Sequence, residues 1–536
     1  MCIVTENPEG CGEATELDAK ADIGPSGTNG ILEKPDEKKF TMFQAISLNT
    51  MNMFGTGPLI TIPYCLASVT PYGPQCMVGY AFAVCACIAD SFVWGELGSR
   101  MPESGGSHTF LRKLFGEHRE VGRFMSFMYF WQFLVSGPAE IASGCIAIAE
   151  YLVYFSPQTV TYGYRVVISL ASLAVMFLGL YQSVQAVGRI AKVLMAVTIL
   201  AMAFTLIMSW TGWKTENLQT EWPDNPKSIV WAIGVATRFG VYDMTGYYDI
   251  CFAGGEVQRP RRTIPISVIS TCVVVGLLYL VIYVSVIASY DFNNYIYMYT
   301  DDYNGVPVGI ISLVTEQLLG KGAAYFMTII VTISIFGSVY AMACGFGFIP
   351  YAAAKSGDFF KLFAHESPTK SGLADYSLLL VFLLSTAWCF FSLDIVVDAM
   401  VTLLVLMQFM AQSFGLVLYR YRIHKLKQNR PSDAEEDHPD TWKMPAYPLP
   451  CIVQFILFGF IFITSDSYLL YGSETPILEL AIGYLVVGLV TFKIFDRKRS
   501  KSNQSSLPDT AEDVQETPEK PDLNHQETSE TEVENS

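Results

Sequence analysis

Two short stretches rich in glycine interrupt long apolar segments and could expose backbone groups for binding. They lie at residues 55–58 and 240–246, and the second carries an acid, Asp243, near its centre. Glycine is a poor helix former and proline has no N–H, so we expect a helix to open at each stretch. Free N–H groups at the start of a half-helix attract anions, and free carbonyls attract cations. The alternative is that these glycines only let membrane helices pack closely.

An isolated acid, Glu140, lies inside a third apolar segment, two residues after Pro138. A charge at the centre of a bilayer costs at least ~2.5 kcal/mol, so we expect this side chain to face the protein interior. It could carry a proton or contact a cationic group, or it could be a protonated acid hydrogen-bonded to a neighbouring helix. Asp90 lies close to the end of another apolar segment, where we expect partial solvation.

The sequence gives only weak signals for sodium binding, and none for a metal centre or for enzymatic catalysis. Ser334 and Ser338 are one helical turn apart and could help to hold a sodium ion, although serines in membrane helices more often pack or form hydrogen bonds. The twelve cysteines have no metal-ligand spacing. No loop holds a nucleophile–base pair. We therefore expect no metal centre, no cofactor and no enzymatic activity.

The apolar segments that carry these residues are long enough to cross a bilayer. Hydrophobic residues make up 51% of the 536 residues and charged residues 16%, against about 25% charged in soluble proteins. A span needs about 20 apolar residues. This criterion predicts an all-α membrane protein with twelve transmembrane helices, at residues 42–66, 73–97, 123–155, 164–183, 188–212, 229–256, 265–289, 322–350, 376–392, 395–420, 447–471 and 475–495.

Charge divides the chain into a membrane domain and two tails. Lysines and arginines concentrate in alternate short loops, which predicts that both termini are cytoplasmic. Residues 1–40 are expected to form a disordered tail, 41–497 the membrane domain, and 498–536 an acidic disordered tail. Its last 36 residues, from Lys501 onward, hold half of the net charge of -16. The acidic pI of 4.9 argues against a nucleic-acid partner.

Five motifs, in order along the chain, resemble those of the amino acid–polyamine–organocation (APC) superfamily of transporters. The resemblance covers residues 42–495 and is closest to bacterial-type amino acid permeases and more distant to L-type amino acid transporters. The motifs are GTG at 55–57, WGELGSRMPESGG at 94–106, GEVQRPRRTIP at 255–265, YAAAKSG at 351–357 and PAYPLP at 445–450.

This resemblance implies a fold of two inverted five-helix repeats plus two extra helices, and an alternating-access cycle. The repeats would cover about 41–212 and 229–421, and the extra helices about 447–495. The solute would be held at the two openings, with Tyr242 as an aromatic gate. The implied binding residues are Gly55, Thr56, Gly57, Tyr242, Asp243, Thr245 and Gly246.

Three departures from the family pattern leave the solute and the coupling open. Pro58 removes a third N–H donor, Leu194 stands near where proton-coupled relatives have a lysine, and Asp243 replaces a small neutral residue. Asp243 could contact the solute, cap a half-helix or carry a proton. Glu140 is the candidate coupling residue.

The expected function is secondary active transport of amino acids, with a proton or sodium as the coupling ion. A polyamine or organic-cation transporter, an ion-only cotransporter and a nutrient receptor without transport are the alternatives. The expected location is the plasma membrane.

Overall fold

The structure is a computed structural model. The residues described are 40–54, 57–67, 73–103, 105–117, 119–156, 161–181, 184–219, 226–290, 309–365, 367, 374–429, 438–464 and 477–505. Within them the chain is helical, and the one β feature is an isolated parallel bridge between Phe40 and Val257. Residues 1–39 of the tail predicted at 1–40, and the residues from 506 onward, lie outside the described part.

Seventeen α-helices of the described residues are numbered here in chain order. The first nine are α1 (Met42–Met53), α2 (Pro58–Ala67), α3 (Cys76–Arg100), α4 (Ser107–Phe115), α5 (Glu120–Leu152), α6 (Tyr162–Leu180), α7 (Val184–Thr211), α8 (Pro226–Met244) and α9 (Pro260–Ser289). The others are α10 (Ile310–Leu319), α11 (Lys321–Phe346), α12 (Phe348–Lys355), α13 (Asp375–Trp388), α14 (Leu393–Leu404), α15 (Ala411–Asn429), α16 (Leu449–Thr464) and α17 (Ile477–Ser505). A π-helix, Val405–Met410, joins α14 to α15.

Seven helical segments of the described chain are long and apolar enough to cross a membrane. They are Cys76–Arg100, Glu120–Phe155, Tyr162–Leu180, Val193–Thr211, Pro260–Ser289, Lys321–Lys355 and Leu393–Asn429. The protein is therefore a multi-pass membrane protein. A described helix also overlaps each of the twelve predicted spans, but α13 and α16 are shorter apolar helices.

Helix α5 lies at the centre of the bundle, whereas α6 lies at its edge. In its most apolar window the segment containing α5 is 89% buried, against 33% for α6. Large apolar side chains such as Val167 and Leu178 of α6 and Ile207 of α7 are exposed. A soluble protein rarely exposes so much apolar surface, so these faces are suited to contact with lipid.

Two features of the helical structure differ from the sequence prediction. Helices α4 and α10 lie in segments predicted as loops. Both are short, so a criterion based on the thickness of a bilayer does not detect them. Helix α17 continues to Ser505, although disorder was expected from residue 498. The lysine, arginine and glutamine residues of this extension have good helix propensity and directly follow an apolar span.

Close packing of α3 against α8 and α9 fixes the elements around the two openings. A Cβ atom added to Gly79 of α3 would lie only 2.4 Å from the carbonyl oxygen of Ile233 in α8. On the α9 side, a Cβ added to Gly98 would lie 2.5 Å from Cγ2 of Ile264. Glycine at these two positions therefore lets α3 approach both neighbours.

We predict that Gly79→Ala lowers the free energy of unfolding by about 1–3 kcal/mol, because a methyl group there would push against backbone. Gly459→Ala in α16 is the matched control, since no atom lies within 4 Å of its added Cβ. The control should be neutral or more stable by up to about 1 kcal/mol. Thermal unfolding of the purified proteins in detergent measures both. Equal stability of the two variants would contradict the packing described here.

Candidate functional site

The first predicted opening is present as a gap between two helices. Helix α1 begins with a capping box formed by Thr41 and Gln44 and ends at Met53, and α2 begins at Pro58. Gly55 and Thr56 lie outside the described residues. Gly57 is described, and a Cβ there would lie 2.7 Å from the Tyr279 ring. The ring of α9 thus occupies the space that a side chain at residue 57 would need.

The second opening follows the end of α8. The last turn of this helix carries Tyr242 and Asp243, and α-helical structure ends at Met244. Gly246 has a φ of +106°, a backbone conformation that favours glycine. The chain then continues through the 3₁₀-helix Asp249–Phe252, so the helix is interrupted where the sequence predicted.

The two openings lie side by side. A Cβ added to Gly246 would lie 3.0 Å from Cβ of Asn52 in α1. The Asn52 amide donates a hydrogen bond to the carboxylate of Asp249. One turn earlier in α1, Oδ1 of Asn49 accepts a hydrogen bond of 2.9 Å from the backbone N–H of Ile250. These contacts join the end of α1 directly to the segment that follows α8.

Side chains from other helices satisfy the carbonyl groups left free at the end of α1. The Tyr279 hydroxyl donates to the carbonyl of Met53, and the Ser338 hydroxyl donates to the carbonyl of Asn52 at 3.3 Å. Ser334, one turn before Ser338, has a buried hydroxyl with no hydrogen-bond partner in the described chain. The two serines predicted for sodium thus lie beside the first opening, and a role in ion binding stays a prediction.

Asp243 is 1% exposed and faces hydroxyl groups. Its Oδ2 atom accepts hydrogen bonds from Thr61 of α2 at 2.6 Å and from Tyr80 of α3 at 3.0 Å. Its Oδ1 atom has no partner among the described residues. The Thr61 hydroxyl also lies 2.7 Å from the hydroxyl of Tyr283 in α9. Asp243 therefore joins α8 directly to α2 and α3, and through Thr61 to α9.

Tyr242 and Thr245 face α5. The Tyr242 hydroxyl lies 2.8 Å from that of Ser143. The Thr245 hydroxyl lies 3.0 Å from Oε1 of Glu140 and 2.8 Å from the carbonyl of Tyr242. Glu140 is 6% exposed, so the acid predicted to face the protein interior does so, and it reaches the second opening through a single threonine.

A small cavity lies next to Glu140. Its walls come from α5, the segment after α8, the end of α11, the start of α12, α14 and the π-helix. In this conformation it is large enough for a water molecule. The lining residues are Tyr129, Phe133, Ser136, Gly137, Glu140, Tyr248, Phe252, Phe346, Ile349, Leu404 and Gln408.

Sequence reasoning missed several polar residues of this region. Asn49 and Asn52 are polar residues one turn apart in an apolar helix, a pattern that could have identified them. Asp249 lies just beyond the predicted opening, and nothing in its immediate sequence marks it. Asp90 was expected to be partly solvated, but it is fully buried and accepts hydrogen bonds from Tyr247 and Gln454. The reason is that α16 covers this part of α3, which local sequence does not indicate.

Comparison with known proteins identifies what this chain is similar to. A family model described as amino acid permease matches residues 40–487. The human cystine/glutamate transporter is 22% identical over 330 residues, 60% of this chain and 62% of that protein. The human b(0,+)-type amino acid transporter 1 is 22% identical over 263 residues, 46% of this chain and 51% of that protein. The vacuolar cationic amino acid transporter 8 of Arabidopsis thaliana is 22% identical over 405 residues, 73% of this chain and 64% of that protein.

The chain thus spans less than two thirds of the length of each of these relatives. The match to a permease confirms the resemblance read from the five sequence motifs. It also agrees with the expectation of a transport protein rather than an enzyme.

We predict that Asp243→Ala lowers the free energy of unfolding by about 1–3 kcal/mol, because the buried hydroxyls of Thr61 and Tyr80 lose their acceptor. Asp243→Asn is the matched variant, since it keeps one oxygen acceptor and should lose less. Thermal unfolding in detergent measures both. An Asp243→Ala variant as stable as the parent would contradict a structural role for these hydrogen bonds.

Proposed function

This chain belongs to the amino acid permease family, and from that premise we propose that it is a secondary active transporter that moves amino acids across a membrane by alternating access. The observation that carries the proposal is the contact between the two interrupted helices at Asn52 and Gly246. Interrupted helices at membrane depth are tolerated where they line a cavity or are buried in protein, and in transporters they form the binding site. The names of the three relatives support amino acids as the substrate class.

The proposed architecture has twelve transmembrane helices, arranged as two inverted five-helix repeats at about 41–212 and 229–421 and two extra helices at about 447–495. Support comes from the interruptions themselves, because they occur in the first helix of each proposed repeat. The basic loops support cytoplasmic termini. We place the protein in the plasma membrane.

In the proposed site the substrate carboxylate meets N–H groups of residues 55–57, which precede α2, and the amino group meets carbonyls of the second opening. A helix start carries a partial positive charge, which favours a carboxylate. The carbonyls of Tyr242 and Gly246 each accept one hydrogen bond from a backbone N–H, at 3.1 and 3.2 Å. A carbonyl has two lone pairs, so that of Gly246 can also accept from an ammonium group, whereas the carbonyl of Tyr242 already has the Thr245 hydroxyl as a second neighbour at 2.8 Å. Asp243 contributes its carbonyl in this arrangement, because its carboxylate faces Thr61 and Tyr80.

Tyr242 is the proposed gate and Glu140 the proposed coupling residue. The Tyr242 side chain is 1% exposed, which supports a role in closing its side of the opening to water. Glu140 contacts Thr245 within the same opening. A change in the protonation of Glu140 would therefore alter a hydrogen bond of the opening itself. The coupling ion is a proton bound at Glu140, or a sodium ion near Ser334 and Ser338 beside the first opening.

Uptake into liposomes tests the function. The purified protein is reconstituted, and uptake of labelled amino acids and polyamines is compared with that of empty liposomes. We expect saturable uptake of at least one amino acid. Faster uptake when the same amino acid is preloaded inside would further support an alternating-access carrier. Uptake of polyamines alone would favour the organic-cation alternative. Binding without uptake would indicate a receptor, and ion flux without amino acid uptake an ion cotransporter.

We predict that Tyr242→Ala lowers the rate of uptake about tenfold or more, because the opening is no longer closed to water during the cycle. Tyr340→Ala is the matched control. Tyr340 is equally buried at 1% exposure and its hydroxyl donates to the carbonyl of Gly179, 3.0 Å away, but it is not part of the proposed site. Rates are normalised to folded protein. Similar rates in the two variants would remove the role of Tyr242 as a gate.

A further inference from the structure

The cavity beside Glu140 combines one acid with aromatic rings. Five of its lining residues are aromatic, namely Tyr129, Phe133, Tyr248, Phe252 and Phe346. No lysine, arginine or histidine is among the lining residues that the structure describes. The site therefore has the composition that favours a cation over an anion.

Glu140 can receive a positive group. Its Oε1 atom accepts a hydrogen bond from Thr245, and in the described chain no basic side chain forms an ion pair with it. In a surrounding of low dielectric constant an unpaired carboxylate attracts a cation far more strongly than in water. Asp249, next to Tyr248 in the chain, adds a second acid nearby.

The aromatic residues of the walls pack against other rings in this conformation. Tyr248 stacks on Trp94, with 4.4 Å between ring centroids and an interplanar angle of 12°. Phe133 meets Phe346 edge to face at 5.3 Å. The π systems of these rings attract ammonium and guanidinium groups.

Gln408 adds a further polar group to the wall. It is 2% exposed, and its amide nitrogen has no hydrogen-bond partner among the described residues. The residue belongs to the π-helix Val405–Met410, a local widening of a helix that is frequent at functional sites. Rotation of the amide by half a turn presents its oxygen to a cation.

We propose that this cavity is the subsite for the substrate side chain, and that it selects amino acids whose side chain ends in an ammonium or guanidinium group. The inference rests on the proposed function, which puts the α-amino group at the second opening. Thr245 links that opening to Glu140 through one hydrogen bond, so a long side chain reaches the cavity. Entry of the side chain requires the segment after α8, which contributes Tyr248 and Phe252, to move outward.

Binding of arginine and citrulline to the purified protein tests the proposal. Citrulline has nearly the shape of arginine but a neutral end group, so the comparison isolates the charge. By isothermal titration we expect the parent to bind arginine about tenfold or more tightly than citrulline, as for a buried charge pair. Glu140→Gln should abolish most of that difference.

Glu150→Gln is the matched control, because Glu150 is also buried in α5, at 4% exposure, and accepts a hydrogen bond from Tyr64 but does not line the cavity. It should keep the preference for arginine. Equal affinity of the parent for arginine and citrulline, or binding of neither, would overturn the subsite. So would an unchanged preference in a folded Glu140→Gln variant.

Failure of the proposed function gives a different result. A parent that prefers arginine in titrations but carries no amino acid into liposomes supports the subsite and overturns transport. A parent that carries amino acids but binds arginine and citrulline equally supports transport and overturns the subsite.

Discussion

An interrupted helix inside a membrane must find partners for its free backbone groups within the protein. This requirement organises the region around α1, α2 and α8. Tyr279 and Ser338 supply donors to carbonyls at the end of α1, and Asn49 accepts from the backbone beyond α8. The free backbone groups at these interruptions thus form hydrogen bonds partly with the other interrupted helix and partly with α9 and α11. The two openings therefore form one unit.

The buried acids in this unit have hydroxyl partners rather than basic ones. Asp243 accepts from Thr61, and Glu140 from Thr245. A hydroxyl group donates to a carboxylate and can also accept from a protonated acid, so these contacts survive a change in protonation. Such acids are suited to bind and release a proton or a cation.

Two other acids are paired with arginine and hold the helices together. Arg238 of α8 meets Asp398 of α14 at 2.7 Å, and Glu96 of α3 binds Arg420 of α15. Removing one partner of a buried pair is strongly destabilising. These two acids therefore have a fixed ionic partner, whereas Asp243 and Glu140, beside the openings, have hydroxyl partners.

The sequence predicted the interruptions and the membrane class because glycine, proline and long apolar runs act locally. It predicted Glu140 as an interior residue because an acid is costly in lipid. It could not reveal that Asp243 faces Thr61 and Tyr80, since these contacts join residues far apart in the chain. For the same reason it gave no sign of the cavity beside Glu140, whose walls come from six segments.

The central claim is that the two openings form the substrate site. It is tested most directly by the reactivity of a single cysteine introduced as Thr245→Cys in a protein that has no other reactive cysteine. A membrane-impermeant thiol reagent is applied to oriented vesicles from one side and then from the other. If the openings form the substrate site of an alternating-access transporter, the cysteine reacts from both sides and substrate slows both reactions. Reaction from one side only, or a rate that saturating substrate does not change, would contradict this account.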